Sequence, residues 1–352
     1  MKLKISEYEN NSIDTTELNF RKCLDIISLF SGCGGMDLGF RGDFKSLGSY
    51  YEANPYRLVF ANELNNRACE TYQLNLNHKP ICEDIRILDY KMLPEADIIL
   101  GGFPCQDFSL SGKREGLSAE RGQLYLEMKK IIQYIRPKAF VAENVDGIRK
   151  CKTGETISAL HIIIKDFEKS GYITKYNVLN SANYGVPQNR IRIIIVGIRK
   201  DLNKTMKFPC QTHGTQNNPY VTSEDAIDDL WDKLGTNIIA NHTYKDYSKA
   251  KFYLNKKTQG NCKIPRDKPS FTIRAEHHGN IEAHYRSLTQ NEEDNMENWR
   301  RLSVRECARL QSFPDEFIFP CAASTAYKQI GNAVPPILGW HIARALYHSL
   351  YN

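Results

Sequence analysis

The chain is 352 residues long, 41% hydrophobic, and carries a net charge of +6; that length suffices for one large domain or for a large and a small one. No run of about 18 apolar residues is present, which excludes a membrane-spanning helix, and the polar start MKLKISEYENNSIDTTELNF is not a secretion signal. The ten cysteines contain no Cys-x-x-Cys pair, which argues against structural zinc and a thioredoxin-type motif and leaves most of them as small core residues in a reducing, cytoplasmic setting.

Residues 1–22 are expected to form an exposed or loosely docked tail. Four apolar runs follow: DIISLF (25–30), YRLVFANE (56–63), ADIILGG (96–102) and KAFVAEN (138–144), each ending in polar or glycine residues. Such runs fit strands buried on both faces of a sheet. A further strand is expected to end at Asp84, in CEDIRI. Between the runs, GQLYLEMKKIIQYI keeps Leu124, Met128, Ile131, Ile132 and Ile135 on one helix face. In TISALHIIIKDFEKSG, Ile157, Leu160, Ile163 or Ile164, and Phe167 do the same, with Gly171 as the stop. Strand–helix alternation predicts a doubly wound α/β domain, with ligands at the carboxyl ends of its strands.

After IRIIIVGIRK (191–200) the texture changes. Residues 201–300 are polar and aperiodic, and predict a second, smaller and less regular domain. Between Lys245 and Arg274 stand nine Lys or Arg against Asp246 and Asp267, with Tyr244, Tyr247, Phe252, Tyr253 and Phe271 interleaved. That pattern suits a polyanion with stackable bases. RLSVRECARLQSFPDEF (301–317) restores a helix, with Ser303 and Glu306 at capping-box spacing and Pro314 beyond its end. GNAVPPILGWHIARALYHSLY predicts an amphipathic helix opened by a Pro-Pro step.

The chemistry-bearing residues sit where strands end. In LFSGCGG (29–35), Gly32 and Gly34 let the backbone approach a nucleotide-like cofactor. The dinucleotide fingerprint is incomplete, because Asp37 stands in place of its third glycine. Glu63 is placed to accept from ribose hydroxyls, and Asp84 from an adenine amine; surface acids at strand ends are the alternative for both. Cys105 follows Pro104 on a loop flanked by glycines and by Ser109, Ser111 and Gly112. By itself it reads as a thiolate nucleophile or as core filler. Glu143 closes the next strand, beside Cys105 if the two strands are neighbours, and an acid buried there needs work or a partner. Arg190 and Arg192, two apart, share one strand face and suit a phosphate, a carbonyl-rich base or a pair of salt bridges.

Six motifs, in this order, resemble those of the DNA cytosine-5 methyltransferases: DIISLFSGCGGMDLGF, GGFPCQDFSLSG, ENV (143–145), QNRIRIIIVG, RECARLQSFPD (305–315) and QIGNAVPP (329–336). The likeness covers residues 24–200 and 301–350. It implies the Rossmann-like, doubly wound mixed sheet of the S-adenosylmethionine-dependent methyltransferases, over residues 23–198 and 322–352. Residues 199–321 would then be a small, irregular target-recognition domain. Cys105 would attack C6 of a cytosine flipped out of the duplex, Glu143 would hold N3 and the amine, and Arg192 would hold O2. Arg190 would support the same pocket or the nearby backbone. For S-adenosylmethionine, Phe30 would lie near the adenine, and Ser31, Gly32, Cys33, Gly34 and Gly35 would admit the methionine part. Glu63 and Leu64 would serve the ribose and Asp84 and Ile85 the adenine, with Pro104, Leu124, Asn332 and Val334 completing the pocket. Gln106, Ser109 and Ser111 would close over the flipped base. Arg274, His277, His278, Asn280 and Arg286 are the candidates for contacts to base edges. The implied setting is a prokaryotic cytoplasmic monomer acting on double-stranded DNA, without a metal or membrane, with a cognate restriction endonuclease as functional partner. Cytosine-5 methylation of tRNA uses the same catalytic motifs and is the alternative; the CFT signature of those enzymes is absent here.

Overall fold

The computed structural model describes residues 12–15, 22–104, 124–149, 152–153, 157–246, 262–275, 284–288 and 299–352. Cys105, Gln106, Ser109, Ser111, His277, His278 and Asn280 lie outside them. Six strands form the central sheet: β1 (Leu24–Leu29), β2 (Tyr56–Asn62), β3 (Ile98–Gly101), β4 (Ala139–Val145), β5 (Tyr172–Asn180) and β6 (Ile191–Arg199). Their spatial order is β5-β6-β4-β3-β1-β2. The first four run parallel, and β6 runs antiparallel to both β4 and β5. The sheet is therefore mixed.

Alternation of side chains along these strands feeds two cores. Ile98, Leu100, Val141, Ile194 and Val196 face α1 (Gly35–Arg41) and the C-terminal helix. Ile99, Phe140, Ala142, Ile193 and Ile195 face α3 (Leu124–Ile135) and α4 (Ala159–Lys169). Each such aliphatic side chain contributes roughly 1.5–3 kcal/mol by burial. Gly171, at φ +96°, follows the end of α4. The second helix of the body, α2 (Asn66–Leu76), lies between β2 and β3 in the chain.

Four expectations are corrected. The strand expected to end at Asp84 does not form; Ile81 alone bridges Asn62, and Asp84 caps a short 3-10 turn over Ile85–Ile87. Charged residues break the apolar run there too often for a buried strand. The edge strand β5 was not among the expected runs, because most of its residues are only half-buried. The C-terminal helix is not amphipathic, since all of its residues but His348 and Tyr351 are buried. Nor is the N-terminal segment wholly loose. Ser12–Ile13 pairs in parallel with Phe208–Pro209, and Thr15, 1% exposed, has its hydroxyl 2.8 Å from His341 Nδ1.

Within 201–300 the described residues include α5 (Ser223–Ile227) and a three-stranded ladder of Cys262–Lys263, His284–Arg286 and Arg300–Arg301. Ile227, Leu230, Ile264 and Ile273 share a core with α6 (Val304–Leu310), Phe313, Phe317 and Phe319. Leu38, Tyr72 and Tyr327 join the same cluster, which seats this lobe on the body. At its centre Glu306, fully buried, accepts from Arg286 at 2.8 Å and from Arg300 at 2.6 Å. Ser303 and Glu306 complete the expected capping box. Burial pushes the Glu306 carboxyl up, but Arg300 and Arg286 outweigh it and hold the pKa at about 2. Two helices end the chain: α7 (Ala323–Asn332) and α8 (Pro336–Tyr351).

Candidate active site

Register brings the site residues to one rim of the sheet. Leu29 pairs with Asn62 on one side and Gly101 on the other; Gly101 pairs with Ala142, and Val145 with Arg192. Phe30, Glu63, the Gly102–Pro104 segment, Glu143 and Arg192 therefore emerge together. β2 and β3 flank β1 on opposite sides, so the crevice opens where the strand order reverses.

The turn after β1 is tightly specified. Phe30 holds φ at +52°, a strained value for a bulky residue. The Ser31 hydroxyl anchors the turn to the carbonyls of Ser28 and Asn62, both at 3.1 Å. Gly34 has φ +90°, and a Cβ there would lie 2.4 Å from Leu76 Cδ1. The Gly32 amide donates to Glu63 Oε2 at 2.8 Å and the Asn65 amide to Oε1 at 2.9 Å. Two backbone amides thus aim one carboxylate along the crevice. Gly35 begins α1 against the carbonyl of Val334, two residues beyond the exposed Asn332 that ends α7.

The remaining cofactor candidates differ in how they face the crevice. The Cys33 thiol is buried and donates to the Gln329 carbonyl at 3.8 Å, so only the backbone of Cys33 fronts the turn. Leu64 is 65% exposed, whereas Ile85 is 4% exposed and packed in the core. Arg86 grips the Asp84 carboxylate with Nη2 at 2.6 Å and Nε at 3.0 and 3.1 Å. Leu124 opens α3 and is half-buried, as is Pro104. Beneath the turn, burial raises the Asp37 carboxyl to a pKa of about 6, even though the Tyr72 hydroxyl donates to it at 3.0 Å.

Glu143 and Arg192 form a second cluster on the rim. Glu143 is 8% exposed and its Oε1 lies 2.9 Å from Arg192 Nε. That oxygen is buried and accepts no aligned hydrogen bond among the described residues. Oε2 lies over Gly102, 3.5 Å from where a Cβ would stand. Asn144, 1% exposed, donates to the Phe103 carbonyl at 3.2 Å and accepts from the Val145 amide at 2.8 Å. It ties β4 to the peptide two residues before Cys105. Sequence reasoning assigned Asn144 no role; the signal was a second polar residue inside an otherwise apolar buried strand.

One candidate, Arg286, is placed elsewhere than expected, and Arg190 takes the backbone-supporting one of its two expected places. Arg286 is 2% exposed and committed to Glu306, Asp228 and the Ile227 carbonyl. Its burial removes it from any base edge. Arg190 is 1% exposed and its guanidinium donates to the carbonyls of Ile273 and Gly331. It stands behind the rim and does not enter the pocket with Arg192. Arg274 is exposed. Among the described residues no three His, Cys, Asp or Glu side chains converge as a metal site, and no helix is long and apolar enough to cross a membrane.

A family model for C-5 cytosine-specific DNA methylase matches residues 24–348. The chain is similar to the type II methyltransferase M.NgoFVII of Neisseria gonorrhoeae, at 38% identity over 88% of this chain and 83% of that one. It is also similar to M.FnuDI of Fusobacterium nucleatum, at 36% identity over 93% of this chain and 95% of that one. Among solved structures, the Entamoeba histolytica methyltransferase EhMeth matches with a TM-score of 0.70 at 15% identity, over 94% of this chain and all of that one. The S. pombe Dnmt2 methyltransferase matches with a TM-score of 0.64 at 19% identity, over the same share of each chain. These structural likenesses speak for the fold alone.

Proposed function

The chain belongs to the C-5 cytosine-specific DNA methylases, and from that membership we infer how its rim residues divide the work of methylation. The activity is that of a DNA (cytosine-5-)-methyltransferase of the type II restriction–modification class, using S-adenosylmethionine. The crevice suits that cofactor: apart from its chain neighbours, no atom of the described residues lies within 4 Å of where a Gly32 side chain would be, and beside it two amides already orient the Glu63 carboxylate. Bound there, S-adenosylmethionine supplies an electrophilic methyl group. Glu63, with lone pairs to spare, accepts from the ribose hydroxyls, and Leu64 covers them. Phe30 and Ile85 give the adenine apolar contact. Asp84 offers the amine an acceptor in competition with Arg86. The backbone of Ser31–Gly35, with Pro104, Leu124, Asn332 and Val334, encloses the rest.

Cys105 is the nucleophile in this reading. Its sulfur bonds to C6 of a flipped cytosine, and the electron pair of the C5–C6 double bond moves toward C5 and N3. Glu143 accepts from the exocyclic amine and, carrying a proton, donates to N3 as Cys105 adds, and Arg192 donates to O2, so both stabilise the negative charge developing on the ring. C5 then takes the methyl group as the donor departs as its neutral thioether; loss of the C5 proton to solvent leaves the electron pair that re-forms the C5–C6 double bond and expels the Cys105 thiolate. Because C5 and C6 are inaccessible in a stacked duplex, the base has to leave the helix. Gln106, Ser109 and Ser111 close over it. Residues 199–321 act as the target-recognition part, with Arg274, His277, His278 and Asn280 toward a short duplex sequence. The biological role is protection of host DNA, by a monomer, from a cognate endonuclease.

The observation that carries this reading is the buried Glu143–Arg192 pair beside the Gly102–Pro104 segment. Incubation with labelled S-adenosylmethionine and duplex DNA tests it. Wild type labels the DNA, and Cys105→Ser does not, while its melting temperature stays within a few degrees. Label that survives in Cys105→Ser sinks the mechanism; label in tRNA and none in DNA moves the substrate to RNA. A covalent complex forms on 5-fluorocytosine DNA, because the fluorine cannot leave as a proton does. Bisulfite mapping of methylated DNA then gives the recognition sequence.

A further inference from the structure

Behind the rim, three buried polar side chains join segments that are far apart in the chain. Gln188, fully buried, accepts from the Ile273 amide at 3.0 Å and donates to Gln311 Oε1 at 2.6 Å. Gln311 donates onward to the carbonyls of Ile330 at 2.9 Å and Ala333 at 2.8 Å. Arg190 donates to the Ile273 carbonyl at 3.1 Å and to the Gly331 carbonyl at 2.9 Å. Both backbone groups of Ile273 are therefore held by the QNR segment. Gly331 is pressed so closely onto the residues after Ile273 that a Cβ would lie 2.2 Å from the Arg274 carbonyl carbon and 2.3 Å from the Ala275 nitrogen.

The two carbonyls held by Arg190 lead to different ligands. One residue past Ile273 is Arg274, and the chain runs on to His277, His278 and Asn280. One residue past Gly331 is Asn332, and then Val334. Arg190 itself is a cation with 1% exposure whose Nε has no hydrogen-bond partner among the described residues, and burial pulls its pKa well down from the ordinary range. A buried charge of this kind costs more than an apolar side chain of similar volume, so its retention calls for a positional role.

We propose that Arg190 is a positioning residue that couples the two ligands: its guanidinium braces the DNA-facing segment after Ile273 against the cofactor segment at Asn332, so each ligand strengthens the binding of the other. The inference rests on the roles proposed above for Asn332 and for residues 274–280. A first ligand fixes one arm of the brace, and the second then has less chain left to order. The coupling is reciprocal by linkage.

Calorimetric titration of S-adenosylhomocysteine, with and without a short duplex carrying the mapped site, measures the coupling directly. In wild type the duplex tightens S-adenosylhomocysteine binding, on the order of tenfold. In Arg190→Met that factor falls to within about twofold, while the affinity measured without DNA changes little. Arg190→Lys, which keeps a donor for one carbonyl and serves if the Met variant does not fold, retains an intermediate factor. Absence of coupling in wild type, or an undiminished factor in either folded variant, overturns the proposal. So does an equal loss of affinity with and without DNA, the mark of a merely structural part. Asn332→Ala tests the underlying reading separately: unchanged S-adenosylhomocysteine affinity without DNA removes Asn332 from the pocket and leaves the measured coupling as it stands.

Discussion

The central sheet and the lobe around Glu306 are held together by different forces. In the sheet, β3, β4 and β6 bury isoleucine, valine, leucine and phenylalanine on both faces, and stability follows the apolar area removed from water. In the lobe, Arg286 and Arg300 converge on Glu306, and Arg286 also reaches Asp228. Both guanidinium groups lie over the Trp231 ring, at 5.1 and 4.4 Å from its centroid. Charges so deeply placed hold only while every partner is present. The sheet is held by uncharged contacts, and the lobe by a charged cluster that titration can loosen.

The sharpest way to break this contrast is to remove one side chain from each part. Phe140 is 0% exposed, with ring centroids 4.3 Å from Phe167 and 5.3 Å from Tyr172. Phe140→Ala costs about 3–5 kcal/mol in urea unfolding, equally at pH 4 and pH 7. Glu306→Gln leaves two buried guanidinium groups without their carboxylate and costs about 3–5 kcal/mol at pH 7. Its cost depends on pH. The Glu306 carboxyl, ordinarily near 4.5, titrates at about 2 in the fold, and a depressed acid contributes stability that is complete above its unfolded pKa. The gap between wild type and Glu306→Gln therefore narrows as pH falls from 4.5 toward 2, while the Phe140→Ala gap does not. A Glu306→Gln gap that stays constant through that window would falsify the charge-held lobe.

The smallest effect sharpens the contrast within the body. Asp37, raised from 3.8 to about 6 by burial, has the opposite sign: its contribution is complete below 3.8 and lost as pH rises through 6. Asp37→Asn is thus expected to be more stable than wild type at pH 8 but not at pH 4, the gain at pH 8 being about 1 kcal/mol once the weaker acceptor for Tyr72 is counted. Thermal melts of the two proteins at both pH values decide it; a variant that loses stability on going from pH 4 to pH 8 as wild type does rules it out.

Legibility in the sequence follows the same division. β3 and β4 could be read directly, because IIL and AFVA are continuous apolar runs, and an acid at the end of such a run, Glu63 or Glu143, stands out. The half-exposed β5 carries no such run. Motif order supplied the family and the expected division of labour, but not the long-range partners. Arg286 meets Glu306 and Asp228 from 20 and 58 residues away, and Arg190 meets Ile273 and Gly331 from 83 and 141. Whether an arginine faces DNA or a buried carboxylate depends on which distant segment folds beside it, and no local pattern records that. The hydrogen bond from Asn144 to Phe103 likewise requires knowing that β3 and β4 are neighbours.

The contact of Gly35 with Val334 has a consequence for the timing of synthesis. One side of this contact comes from the first tenth of the chain and the other from the last. A ribosome that has made the whole sheet has still made only one of them. The packing of the glycine turn against the C-terminal segment is therefore complete only once the final helices have been made.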